Sequence, residues 1–182
     1  MTNLSQLRPA LSTTTIVIGL RRWRVWSVRD QDALLSLESL THLPYGLLLW
    51  ESSVALAQHL AEFPLLVANK RVLELGAGVG LPGLVARTLG AEVWQTDQLD
   101  EANIIAELNA LENGVSRAHR FTADWDQWKD DRRYDVILGA DILYEAAAHE
   151  SLATIIDSRL APHGRVVFAD PGRAQALAFL AK

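Results

Sequence analysis

The sequence predicts an α/β fold built on a doubly wound, mainly parallel sheet, and three observations carry that expectation. From Lys70 onward, short apolar strands alternate with amphipathic helices, the pattern that crossover connections between parallel strands produce. Glycines crowd the junction between the first of these strands and its helix, in the segment Glu74 to Gly83, ELGAGVGLPG. Tyr134 to Ala140, YDVILGA, is almost continuously apolar, as a strand covered by helices on both faces must be.

In chain order, Thr14 to Leu20 and Trp23 to Val28 are β-branched and aromatic stretches around a Gly19 to Arg22 turn, which reads as a hairpin. A helical stretch from Asp30 to Glu62 is expected to pack outside the sheet or over one end. Arg71 to Leu75 is the first sheet strand, and its helix can begin at Pro82 and end at Gly90. Glu92 to Thr96 is the second strand. Asp100 is a candidate N-cap for a helix with Ile104, Ile105, Leu108 and Leu111 on one face, and Gly114 can end it. Ala118 to Ala123 gives the third strand, a polar loop from Asp124 to Arg133 carries two tryptophans, and Tyr134 to Ala140 is the fourth. Leu152, Ile155, Ile156 and Leu160 mark a further helix, Pro162 to Gly164 turns into the fifth strand, Arg165 to Ala169, and Arg173 to Ala181 is the last helix. Residues 1–182 thus read as one domain, with hairpin and helices over 1–62 and a ligand-binding core over 70–182.

Composition excludes several function classes. Apolar residues make up 49% and charged residues 21%, the balance of a soluble packed domain. The net charge of -5 offers no broad attraction for phosphate backbones, and the cluster Arg21, Arg22, Arg24 and Arg29 reads as a solvated hairpin face, so no nucleic-acid partner is expected. Without cysteine there is no disulfide, thiolate metal site or cysteine nucleophile. The histidines at 42, 59, 119, 149 and 163 lack ligand spacing, so no metal is expected. No apolar run approaches the roughly 20 residues of a membrane span, and the N-terminus lacks the pattern of a secretion signal. The expectation is a cytoplasmic protein with no membrane partner.

The glycine turn is where chemistry should sit. Its glycines let a ligand approach the backbone without a Cβ in the way, and the helix start adds free N–H groups and a positive dipole end. Two ligands compete for it. Gly78, Gly80 and Gly83 fit the dinucleotide pattern GxGxxG, with Asp97 at about the distance of a ribose-binding acid. That pattern wants its first glycine at the strand end, here Gly76, and counting from Gly76 puts Leu81 in the third glycine's place.

Read instead as an acid-x-G-x-G-x-G run, Glu74, Gly76, Ala77, Gly78 and Gly80 resemble the cofactor turn of class I methyltransferases, which are Rossmann-like and use S-adenosyl-L-methionine. The resemblance implies that Asp97, ending VWQTD, binds the ribose hydroxyls, that Asp124 and Trp125 flank the adenine, and that Ala140 lies beneath the cofactor. A narrower resemblance follows from LLLWESSVALAQHL (Leu47 to Leu60), VLELGAGVGLPG, VWQTD, ADW and DVILGADILYE (Asp135 to Glu145) taken together. Over roughly Tyr45 to Arg173 these are similar to the seven-strand protein-lysine methyltransferases of methyltransferase family 16. The family pattern implies that Trp50 contacts the cofactor and that Asp141 and Tyr144, a D-x-x-Y motif, border the target amine as the catalytic pair. FADPGR (Phe168 to Arg173) further resembles the branch holding electron-transfer-flavoprotein β-subunit lysine methyltransferases and bacterial relatives called nicotinamide N-methyltransferases. Nucleic-acid and glutamine amino-methyltransferases carry an NPPY-like sequence where this chain has ADILY, without the prolines.

The function expected is N-methylation of a lysine side chain on a protein. A methyl on a sulfonium is already activated, so catalysis needs an in-line nucleophile and a neutral amine. A lysine, with a reference pKa of about 10.4, must lose a proton, aided by desolvation and the nearby sulfonium. A small nicotinamide-like amine is the alternative acceptor, a noncatalytic scaffold the alternative from another class, and a dinucleotide-dependent oxidoreductase the last, since no hydride-transfer group accompanies the turn. The antiparallel strand pair that ends the family's sheet is not expected here, and the oligomeric state stays open.

Overall fold

The structure is a computed structural model, and it describes residues 10–29, 32, 45–116 and 118–181. The hairpin forms first, from β1 (Leu11–Ile18) and β2 (Arg21–Val28), with Ile18 paired to Arg21 across a two-residue Gly19–Leu20 turn. The turn is tighter than the four residues expected, because Gly19 takes a φ of 57° and lets the strands close at once. Apart from Asp32, the helical stretch expected from Asp30 lies outside the described residues as far as residue 44; its remainder is a 3-10 turn at Tyr45–Leu47 and α1 (Glu51–Glu62).

The sheet contains β3 (Arg71–Leu75), β4 (Glu92–Asp97), β5 (His119–Thr122), β6 (Tyr134–Ala140) and β7 (Leu160–Ala169) in the spatial order β5-β4-β3-β6-β7, every neighbouring pair parallel. The crossovers hold α2 (Leu81–Thr88), α3 (Asp100–Glu112) and α4 (His149–Arg159), and α5 (Ala174–Leu180) follows β7. Alternating residues of the strands serve two cores. Val72, Val93, Val136 and Leu138 pack with α1, α2, α3 and the hairpin residues Trp23, Val25 and Val28, whereas Leu73, Leu75 and Ile137, joined by Tyr134 ahead of the irregularity in β6, pack with Leu152, Ile155 and Ala176. The sheet is therefore doubly wound, as expected, and the strand order reverses between β3 and β6. Open α/β sheets bind ligands beyond the carboxyl ends of the strands at such a reversal.

Three local expectations are corrected. Asp100 is the first residue of α3 rather than its cap; Leu99 precedes the helix, and the Asp100 carboxylate accepts from the Thr122 hydroxyl. The buried face of α3 is Ala102, Ile105, Ala106, Asn109 and Ala110, while Leu111 is 70% exposed. The cause is the hairpin. Buried Asn109 accepts from Trp26 N at 2.6 Å and donates to Trp26 O at 3.0 Å and Val79 O at 2.9 Å, and Asn113 makes the same two-way pairing with Arg24. Asn109 of α3 and Asn113, which caps its C-terminus, thus finish the free edge of β2, and that docking turns the helix. Part of the arginine cluster joins it, since Arg24 pairs with Glu112 at 3.2 Å and Arg21 lies over Trp23 and donates to the Asn113 carbonyl. Finally, β7 starts at Leu160, which leaves α4 and pairs with Tyr134; a register shift before Arg165 absorbs Pro162 to Gly164.

Candidate functional site

The glycine turn leaves β3 with three left-handed residues in alternation, Gly76 at φ 58°, Gly78 at 53° and Gly80 at 82°. An L-residue with a side chain pays for each such step, so the turn can be made this sharply only by glycine. Gly80 directs the chain into α2, and a Cβ there would come 2.7 Å from Ala106 Cβ; it shapes the turn from below. Gly76, Ala77 and Gly78 line a cavity of about 520 Å³ at the carboxyl ends of β3, β4 and β6. That size is ordinary for a small-molecule site. The Ala77 N–H is already given to Thr96 O at 2.8 Å.

Glu74 supports the turn from inside. Its carboxylate accepts from Gly83 N at 3.1 Å and Gln95 Nε2 at 2.7 Å, and Gln95 also donates to Gly80 O at 2.9 Å. Burial pushes the Glu74 carboxyl up to about 7, against the lowering effect of those two donors. Gln95 was not legible as a site residue, since nothing in VWQTD marks a buried amide as the clamp of a turn 15 residues away.

Asp97 stands at the end of β4 with one oxygen accepting from Gly78 N at 2.9 Å and the other from Leu99 N at 3.0 Å. Burial raises its pKa, opposed by the Leu99, Gly78 and Gln98 N–H groups. Gly46 lies against it: a Cβ on Gly46 would be 3.2 Å from the carboxylate, and one on Gly78 would be 2.7 Å from Gly46 O. The Tyr45–Leu47 turn is thus a roof on the glycine turn. Trp50 fastens that roof, its indole N–H donating to Tyr45 O at 2.9 Å while its backbone starts α1.

The remaining expected residues reach the same cavity. Asp124 caps a short 3-10 turn by accepting from Asp126 N at 3.0 Å, and the Trp125 ring lies 3.4 Å from where a Gly76 Cβ would be. Trp125 both covers the second core and faces the cavity. Ala140 ends β6 in the wall. Asp141, next in the chain, has a φ of 61° and caps no helix; its N–H donates to Ala169 O at 2.8 Å and its carboxylate pairs with Arg173. Tyr144 is 44% exposed at the rim, with its ring 6.5 Å from that of Tyr45 in an edge-on contact. Burial, then the Glu145 and Asp97 carboxylates, raise the pKa of the Tyr144 phenol, which stays a neutral donor. Tyr45, Gly46 and Arg173 were missed as site residues, because they are joined to it only through the fold.

A parallel sheet of this order, a triple-glycine turn and an acid ending the next strand together define a class I methyltransferase. Over residues 29–180 the chain matches the lysine methyltransferase family, and it belongs to that family. It is 32% identical over 149 residues to the histidine protein methyltransferase 1 homolog of Dictyostelium discoideum, covering 78% of this chain and 48% of that one. It is 31% identical over 139 residues to the electron transfer flavoprotein beta subunit lysine methyltransferase of Danio rerio, covering 72% and 52%. The chain spans about half the length of these relatives. Among solved structures, the 16S rRNA N2 G1207 methyltransferase of T. thermophilus, in complex with AdoMet and guanosine, shares the fold with a TM-score of 0.70 at 18% identity, over 95% of this chain and 46% of that one.

Proposed function

We propose that this chain is an S-adenosylmethionine-dependent N-methyltransferase whose acceptor is a lysine side chain of a protein. The reading rests above all on Asp141 and Tyr144 lying in one cavity with the glycine turn and Asp97. The residues present fit the cofactor. A Cβ at Gly76 would meet Ile142 and Trp125 and one at Gly78 would meet Gly46 O, so the glycines let wall and roof close around the cavity, and the carboxylates that line it suit a cationic sulfonium better than a pyrophosphate.

Bound there, the cofactor supplies a methyl carbon whose bond to sulfur breaks with its electron pair as the acceptor nitrogen's lone pair forms the new bond. Asp97 has lone pairs left over for two ribose hydroxyls, and both of its oxygens are already aimed by backbone N–H groups. Trp125 and Asp124 supply an aromatic face and a polar edge for the adenine, and Trp50 holds the roof over the glycine turn. Asp141 and the neutral Tyr144 phenol orient the amine at the rim, where a lysine on a protein surface can reach.

The test is transfer of labelled methyl groups to a protein extract and to nicotinamide, followed by acid hydrolysis of the protein fraction. Nε-methyl-lysine is the expected product. Label confined to the small amine, or recovered as methyl-histidine, contradicts the assignment of the acceptor.

A further inference from the structure

Among the described residues, six acids line the cavity, Glu74, Asp97, Asp124, Asp126, Asp141 and Glu145, and Arg173 is the one cation. It comes from the turn after β7, 32 residues beyond the acid it pairs with. The turn is preset: the Asp170 carboxylate accepts from the backbone N–H groups of Gly172 and Arg173, both at 2.8 Å, and from the Arg173 guanidinium at 3.1 Å. Asp141 is preset as well, by its left-handed backbone and its bond to Ala169 O. Its side chain is only 10% exposed, so the carboxylate meets the cavity already paired.

We propose that Arg173 is a resident counter-ion of Asp141 that keeps the acceptor amine in its neutral, reactive form. This rests on the reading that Asp141 borders that amine. A bare carboxylate within about 4–6 Å of an amine favours the ammonium, which has no lone pair for the methyl carbon. A guanidinium on the same carboxylate cancels much of that field while leaving an oxygen free to orient an N–H. Among the described residues, the other groups that act on Tyr144 or share Arg173 are Glu145, Asp97, Tyr45 and Asp170, and none of them is a cation. Among the described residues Arg173, shared between Asp141 and Asp170, is therefore the cation that offsets the acids at this end. In the step itself the nitrogen lone pair bonds the methyl carbon, the carbon–sulfur pair goes to sulfur, and the proton left on the product nitrogen passes to water.

The experiment titrates n-butylammonium chloride, a mimic of the lysine side chain, into protein saturated with S-adenosylhomocysteine, followed by NMR at fixed ionic strength. R173Q and R173A are expected to bind the ammonium roughly threefold more tightly than the wild type or better, because Asp141 is released to it. Millimolar guanidinium should reverse the gain in R173A, and the D141N/R173Q double variant should show no gain. Should R173Q fail to fold, R173A with and without guanidinium makes the same comparison. Equal or weaker binding by the single variants, or a gain that survives D141N, overturns the proposal. In the transfer assay R173Q should lag the wild type near neutral pH and approach it as the pH is raised; parallel profiles count against the proposal. The binding pattern without any methyl transfer by the wild type would sink the transfer reading alone, and transfer without the pattern would sink the counter-ion alone.

Discussion

The backbone N–H of Gly78 donates to the Asp97 carboxylate at 2.9 Å, so the acid that ends β4 braces the turn that leaves β3. One residue thus fixes the glycine turn and faces the cavity. The roof residue Gly46 lies against both, and the three segments form a single unit that no one of them could hold alone.

That unit predicts an asymmetry between two glycines with almost the same backbone. Gly78 has a φ of 53° and Gly114 a φ of 60°, but a Cβ on Gly78 would be 2.7 Å from Gly46 O, whereas nothing lies within 4 Å of one on Gly114. G114A is expected to cost only the left-handed strain, about 1 kcal/mol, and to leave cofactor binding intact. G78A must also lift the roof, and should cost more and lose the cofactor. Urea midpoints with a binding titration check this, and equal effects of the two substitutions would refute it.

Glu74 predicts a pH dependence. Its carboxyl is raised from the ordinary 4.5 to about 7 in the folded chain, chiefly by burial. A raised folded-state value means that the folded form binds the proton more tightly. The resulting stability is fully present below pH 4.5 and is lost as pH rises through about 7. Relative to E74Q, the wild type should therefore weaken between mildly acid and mildly alkaline pH by on the order of 3 kcal/mol. Chemical denaturation of both proteins across that range measures it; curves that stay parallel would mean that Glu74 is ionised throughout.

Asn109 predicts that the hairpin is held from α3. Its side chain serves Trp26 N and O, which are half-buried, and the buried Val79 O, and replacing it removes those partners. N109A should cost about 2–4 kcal/mol and weaken the near-ultraviolet signal of Trp23 and Trp26. A cost no larger than that of an exposed alanine substitution would show that the hairpin docks by apolar contact alone.

The acceptor residues should separate from the cofactor residues in kinetics. D141N is expected to slow transfer at least about tenfold, and Y144F less, because the phenol can be replaced by water at a half-exposed rim. Neither should change the affinity for S-adenosylmethionine by more than about threefold. Loss of cofactor binding in D141N would move Asp141 from the acceptor to the cofactor.

What the sequence made legible followed periodicity and local chemistry. Alternating strands and helices gave the five parallel strands, and YDVILGA fixed β6 to the residue. The left-handed glycines were readable because only glycine takes that backbone in succession. Residues joined across the fold were not readable. Arg173 stood in the FADPGR segment, but its pairing with Asp141 depends on β7 lying beside β6. The buried face of α3 was misread for the same reason, since an apolar count favoured Leu111 while the docked hairpin selected Asn109. Polar residues that satisfy a neighbour's backbone leave no periodic trace.

The most direct test of the central claim is calorimetric titration of the wild type and D97A with S-adenosylmethionine and, separately, with NAD. The account predicts one site for S-adenosylmethionine, none for NAD, and a loss of at least about tenfold in D97A as the ribose acid and the brace on Gly78 are removed together. Binding of NAD instead, or S-adenosylmethionine affinity indifferent to Asp97, would contradict it.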